Sequence, residues 1–131
     1  MDEGLEAKLR RRLELHRAER QAAQMTLGKL IQRLGDMPGH QQLCGCLYQP
    51  HSYRGYYDDV AFEYDSLAVQ QASGLLSICL ETLNRVFTGY KGGEYTYDIG
   101  TPVWVARWGH EGVALVDVRL DGTIIMEARE Y

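Results

Sequence analysis

The chain has 131 residues, of which 45% are hydrophobic and 24% are charged, and its formal net charge is −4. These values are typical of one soluble domain with its own core, and they argue against wholesale disorder. The acidic balance argues against duplex DNA as a partner, because duplex DNA requires a dense basic face. No stretch approaches 18 apolar residues and the first residues are too charged for a signal peptide, so we expect a cytoplasmic protein without a membrane partner.

Residues 4–24 predict a basic amphipathic helix. Leu5 and Leu9 begin a row of apolar residues spaced by four, while arginines crowd the other faces. So narrow a stripe is typical of a helix that packs on one partner. The helix is therefore either an oligomerisation arm or a solvated helix docked on its own domain. We divide the chain into this helix, residues 1–24, and a single α+β binding domain, residues 25–131.

The remaining chain predicts two helices and five strands. A short helix follows Thr26, a good N-cap, and stops before Gly35. A second helix begins at Asp65 or Ser66 and runs to about Val86; it is apolar on most faces, which indicates burial. We predict an α+β fold in which N-terminal helices precede a mostly antiparallel sheet of about five strands, packed on this one long buried helix. The predicted strands are 42–49, 60–64, 102–108, 113–119 and 123–129.

Two irregular segments, residues 50–59 and 88–100, are rich in tyrosine and glycine. Each places one cation, Arg54 or Lys91, between a tyrosine and a glycine. Glycine allows close approach of a ligand, tyrosine offers a stacking face, and the cations bind phosphate or carboxylate. A small anionic nucleotide-like ligand satisfies all three features; alternatively, the aromatic rings only cover loop backbone. The expected ligand-binding residues are His51, Ser52, Tyr53, Arg54, Gly55, Tyr56, Thr88, Tyr90, Lys91, Gly92, Gly93, Glu94, Tyr95 and Trp104.

The residues suited to catalysis or metal binding are few. His51 adjoins Ser52, but adjacent residues seldom face each other as a catalytic pair must. Asp58 and Asp59 could bind a divalent ion or serve as a general base; alternatively, they mark the start of a strand or pair with Arg54. The three cysteines lack the spacing of a zinc site. We expect no cofactor and no catalytic residue.

Several segments resemble a family of small proteins encoded by tailed phages and prophages. They are HSYRGYY (51–57), AFE (61–63), FTGYKGGEYT (87–96) and TPVWVA (101–106), and the resemblance covers roughly residues 25–120. It transfers no activity residue by residue. It implies a context, because small acidic phage proteins often act against host defence, and one class of them sequesters nucleotide immune signals.

The leading hypothesis is a phage-type anti-defence protein that binds and sequesters a small anionic nucleotide immune signal without turnover. The signal would be cyclic ADP-ribose-like or a cyclic oligonucleotide, and a homo-oligomer would bring loops of neighbouring subunits together. One alternative is a protein-binding inhibitor of a host defence factor, whose acidic body mimics nucleic acid. Another is a metal-dependent phosphodiesterase that degrades the signal with His51 and Asp58 or Asp59.

Overall fold

The computed structural model describes residues 4–12, 15, 24–89 and 91–129. Within them, α1 covers residues 5–12, and residue 15 is also helical. The predicted continuation of α1 through residues 13–14 and 16–23 lies outside the described residues. No helix in the described part of the chain is long and apolar enough to cross a bilayer. The remaining elements are α2 Leu27–Gly35, α3 Ala72–Leu83, β1 Gln42–Leu43, β2 Cys46–Tyr53, β3 Tyr56–Asp65, β4 Gln70–Gln71, β5 Phe87–Thr88, β6 Glu94–Tyr95, β7 Val103–Val105, β8 Val113–Val118 and β9 Ile124–Glu127.

The main sheet has five strands in the order β2-β3-β7-β8-β9. Its pairs are antiparallel except for β3 with β7, which run parallel, so the predicted α+β fold with a mostly antiparallel sheet is confirmed. Helices α2 and α3 pack on each other and on one face of the sheet. That face contributes Val60, Phe62, Val103 and Val105 to the main core, because side chains alternate between the two faces of a strand.

Helix α2 forms as its local signals predict. The Thr26 side chain accepts a hydrogen bond from the Lys29 backbone nitrogen at 3.2 Å, which caps the first turn. Leu27, Leu30 and Leu34 are buried on one face, so the helix packs through a single apolar stripe.

The second predicted helix differs from α3 in length and burial. Residues 65–71 are not helical: the Asp65 carboxylate accepts from the Leu67 nitrogen in a turn, and Gln70–Gln71 pairs with β1. Helix α3 therefore begins only at Ala72. Its fully buried side chains lie along one face, Leu67 lies outside it and is 93% exposed, and the helix ends at Leu83. The prediction of one long buried helix is not confirmed.

Candidate ligand-binding site

The first segment predicted as a loop, residues 50–59, is instead the end of a β-hairpin. Strands β2 and β3 continue to Tyr53 and Tyr56, which pair across a two-residue turn. The turn residues Arg54 and Gly55 have φ of 53° and 81°, and positive φ at both central positions is what a type I′ turn requires. We call this tip, residues 50–59, the first hairpin. Its ladder fixes the direction in which the turn extends.

The first hairpin stands on a small core on the sheet face opposite the helices. The rings of Tyr53 and Trp104 stack with centroids 4.2 Å apart and planes 4° from parallel. Trp104 lies on β7, between two strands that each place an alanine opposite it: Ala61 on β3 and Ala114 on β8. The small alanine side chains leave room for the indole. The Trp104 indole nitrogen donates to the Asp59 carboxylate at 2.6 Å.

Two residues expected to contact a ligand therefore support the site from beneath. Tyr53 is 1% exposed and Trp104 is 0% exposed, and neither side chain lines the surface described below. The Tyr53 hydroxyl accepts a hydrogen bond from the Gly112 nitrogen at 3.1 Å. Both rings are held in place by their own contacts, so they position the hairpin rather than face solvent.

The second tyrosine-rich segment also contains a hairpin. Strands β5 and β6 pair Phe87 with Tyr95 and Thr88 with Glu94. At the tip, the Gly89 nitrogen donates to the Gly93 carbonyl at 2.6 Å. We call residues 87–95 the second hairpin. Tyr90, an expected ligand-binding residue at this tip, lies outside the described residues.

Aromatic stacking joins the two hairpins. Tyr57 of the first stacks on Tyr95 of the second, with centroids 4.3 Å apart and planes 6° from parallel. Tyr95 in turn lies against Phe87, with centroids 5.6 Å apart. Gly89 lets the hairpins approach closely, because a Cβ atom there would overlap the Tyr57 hydroxyl. The nearby Tyr97 ring is buried against Phe87, and burial raises the pKa of its hydroxyl above the ordinary value.

Between the two hairpins lies a cavity of about 620 Å³. This volume falls within the ordinary range of small-molecule sites. Seven of the expected residues line it, from both segments: His51, Ser52, Arg54, Gly55, Thr88, Lys91 and Tyr95.

Four other expected residues, Tyr56, Gly92, Gly93 and Glu94, are exposed but do not line the cavity. They lie at or beside the two hairpin tips. The two segments that the sequence singled out thus form one concave surface. Some residues of the hairpin tips line the cavity, and the others lie at its rim.

Among the lining residues that lie outside the expected set, Arg85 and Trp108 offer groups that a ligand can use. Arg85 follows α3, and its guanidinium carbon lies 4.6 Å from the centroid of the Phe87 ring. In an extended chain, residues two apart share a face, so the Arg85–Phe87 spacing was a usable signal. Trp108 lies in the turn after β7, is 68% exposed and lines the cavity in place of Trp104. It offers an accessible ring for stacking.

The cavity is positively charged although the protein is acidic, with a net charge of −4. Arg54, Arg85 and Lys91 line it, and no carboxylate does among the residues that the structure describes. Within the same residues none of the three cations forms an ion pair. Three uncompensated cations in one concavity focus a positive potential, which favours an anionic ligand.

The histidine in the cavity wall is engaged by its own chain. His51 Nε2 lies 2.7 Å from the Glu63 carboxylate and 3.0 Å from the Ala106 carbonyl oxygen. The contact of His51 Nδ1 with Ser52 is to the backbone carbonyl oxygen, at 3.1 Å, and not to the side-chain hydroxyl. Within the described ranges, there is no cluster of three His, Cys, Asp or Glu side chains that could hold a metal ion. His51 therefore fixes the hairpin base against β7.

A second concavity of about 590 Å³ lies between α2 and β8. Its charges are balanced, since Lys29 and Arg33 line it together with Asp36 and Asp117, and Arg33 pairs with Asp117 at 3.5 Å. An anion has less reason to bind there. The cavity between the hairpins is the better candidate site.

Comparison of the chain with protein-family models, curated proteins and solved structures finds no match.

Proposed function

We propose that the chain is a phage-type anti-defence protein that acts in the host cytoplasm by sequestering a small anionic nucleotide signal. The signal is of the cyclic ADP-ribose or cyclic oligonucleotide kind, and it is held without turnover. The observation that carries the proposal is the cavity between the hairpins. Among the residues that the structure describes, it combines three cations that form no ion pair with accessible rings, and no carboxylate lines it. The resemblance to phage proteins supplies the biological context.

Each part of such a ligand has a counterpart in the wall. Arg54, Arg85 and Lys91 offer charge-assisted hydrogen bonds to phosphate oxygens. The exposed ring of Trp108 offers a stacking face for a base. Ser52 and Thr88 add hydroxyl groups that can bind ribose or phosphate oxygens.

Binding is favoured over turnover because two of the three groups named for the phosphodiesterase, His51 and Asp59, already have partners, and the third, Asp58, does not line the cavity. His51 contacts Glu63 through Nε2, and Asp59 accepts from the buried Trp104 indole. A general base must reach the proton that it removes, within about 3.2 Å. Releasing either group would break contacts that hold the first hairpin.

Sequestration requires tight binding, with Kd of about 1 nM or about −12 kcal/mol. Charge-assisted hydrogen bonds contribute about 1.5–3 kcal/mol each and a stacked base about 1–3 kcal/mol, so one subunit reaches this affinity only at the upper end. Homo-oligomerisation that completes the cavity from a neighbouring subunit is therefore part of the proposal. Leu5, Leu9 and Leu15, exposed on the N-terminal helical segment, offer a surface for it.

A release assay tests the proposal. The protein is incubated with ADP-ribose, its cyclic isomers and a set of cyclic oligonucleotides; depletion from the filtrate is measured, and the protein is then heat-denatured. We expect one nucleotide to be depleted and then released intact, as mass spectrometry would show. Altered products would contradict sequestration and favour the phosphodiesterase. Absence of depletion would also contradict it and favour an inhibitor that binds a protein.

Two variants serve as controls. Arg54→Ala removes a cation from the cavity wall and should abolish depletion. Arg107→Ala removes a similarly exposed arginine that does not line the cavity, and it should leave depletion unchanged.

A further inference from the structure

We infer that the ligand of this cavity carries at least two negative charges, as a nucleotide with two phosphate groups does, and that Arg85 is the residue that selects it over a ligand with one. The inference rests on the proposed function, because it names the ligand class of the same site. It goes further by assigning ligand selection to Arg85, a residue that lies outside both tyrosine-rich segments.

Arg85 is held in a defined position. Its guanidinium carbon lies 4.6 Å above the Phe87 ring, and that ring is buried against Tyr95 and Tyr97. A guanidinium stacked on an aromatic face keeps its N–H groups directed outward in the plane of the fork, where a phosphate can accept two of them. Arg85 therefore offers a preorganised phosphate contact, whereas a freely rotating side chain loses entropy on binding.

The three cations come from three separate parts of the chain. Arg54 lies in the first hairpin turn, Lys91 near the second hairpin tip, and Arg85 between α3 and β5. Like charges that share one concavity repel each other, since nothing within the described residues compensates them. A ligand with one negative charge leaves two of them uncompensated. A ligand with two phosphates contacts more of them at once, and its affinity rises accordingly.

The test compares two nucleotides with the same base and different charge. The affinities of ADP-ribose, which has two phosphates, and of cyclic 3′,5′-AMP, which has one, are measured by calorimetry on the full chain. We expect the parent to bind ADP-ribose at least about tenfold more tightly, as one added charge-assisted hydrogen bond allows. Arg85→Gln should remove most of that difference by weakening ADP-ribose at least about fivefold while changing cyclic AMP less than about twofold.

Two further variants separate selection from folding. Arg85→Lys keeps the charge and should keep part of the preference for ADP-ribose. Arg107→Gln removes an arginine that does not line the cavity and should change neither affinity. Thermal unfolding of each variant reports whether its fold is intact.

The possible outcomes distinguish the inference from the proposed function. Equal affinities of the parent for the two nucleotides, or an Arg85→Gln variant that is folded and weakened equally for both, would overturn the inference alone. Failure of both nucleotides to bind the parent would overturn the inference, whereas the proposed function fails only if the release assay depletes none of its nucleotides. A preference that Arg85→Gln removes and Arg107→Gln retains supports the inference.

Discussion

Tyr57 and Tyr95 stack face to face, with centroids 4.3 Å apart and planes 6° from parallel, although they belong to different hairpins. Tyr57 follows the turn that contains Arg54, and Tyr95 follows the tip that contains Lys91. Tyr95 also contacts buried Phe87, so the Tyr57 ring of the first hairpin packs on a ring that is itself held by the core, and the positions of the two hairpins are coupled. This contact brings the two cations to one cavity.

Gly89→Ala should separate the hairpins. Its methyl group would overlap the Tyr57 hydroxyl, so the Tyr57–Tyr95 stack must shift. Overpacking of this kind costs about 1–3 kcal/mol, and we expect that loss in the free energy of unfolding together with loss of nucleotide binding. Gly93→Ala is the matched control in the same hairpin, because a Cβ there meets nothing within 4 Å. Equal stability and binding of the two variants would contradict the role of Gly89.

Asp59→Ala should destabilise the support beneath the first hairpin. The buried Trp104 indole nitrogen would lose its 2.6 Å acceptor, and losing such a partner costs about 1–3 kcal/mol. Asp59→Asn retains an acceptor oxygen and should lose less. Urea denaturation measures both changes, and an Ala variant as stable as the parent would refute this role for Asp59.

The stability of the protein should fall at alkaline pH because of Cys79 in α3. Burial raises the pKa of this thiol to about 12, whereas an unfolded thiol titrates near pH 8.5. Between these values the unfolded state releases the proton first, so the free energy of unfolding decreases as pH rises, by up to about 1.4 kcal/mol per pH unit. Denaturation of the parent and of Cys79→Ala at several pH values tests this. The variant should show the shallower decline, and identical slopes would rule the explanation out.

Replacing Leu5 and Leu9 together by Asp should reduce self-association. Both side chains are exposed on α1, and an apolar surface buried between subunits cannot accept unpaired carboxylates. Sedimentation velocity should then show the monomer where the parent forms an oligomer. Leu67→Asp is the control, since Leu67 is also exposed but lies outside α1. A parent that is itself monomeric, or a double variant that remains oligomeric, would exclude α1 as the arm.

The sequence was most informative where structure depends on local signals. The Thr26 cap predicted α2. The predicted strands 113–119 and 123–129 correspond to β8 and β9, and the Gly122 nitrogen donates to the Arg119 carbonyl in the turn between them. The first hairpin was missed because Arg54 adopts a left-handed φ of 53°, which is uncommon for a residue other than glycine, asparagine or aspartate. A tyrosine-rich stretch around such a turn is easily interpreted as a loop.

Within the site, residue type and position in the chain had different predictive value. Arg54 and Lys91 were found because a cation between tyrosine and glycine is visible in sequence. The sequence did not show which of the two tryptophans is buried and which lines the cavity. That depends on the small residues that neighbouring strands place opposite Trp104. The sequence likewise did not show that α3 begins at Ala72, since apolar residues alone do not show where a helix begins.

The most direct test of the two-hairpin cavity is calorimetric titration of ADP-ribose into the parent, Arg54→Ala and Lys91→Ala, with Arg107→Ala as the control. Each cavity variant loses a charge-assisted contact from a different hairpin, so each should bind at least about tenfold more weakly, while the control binds as the parent does. If both cavity variants stay folded and keep the parent's affinity, the two hairpins do not form the binding site.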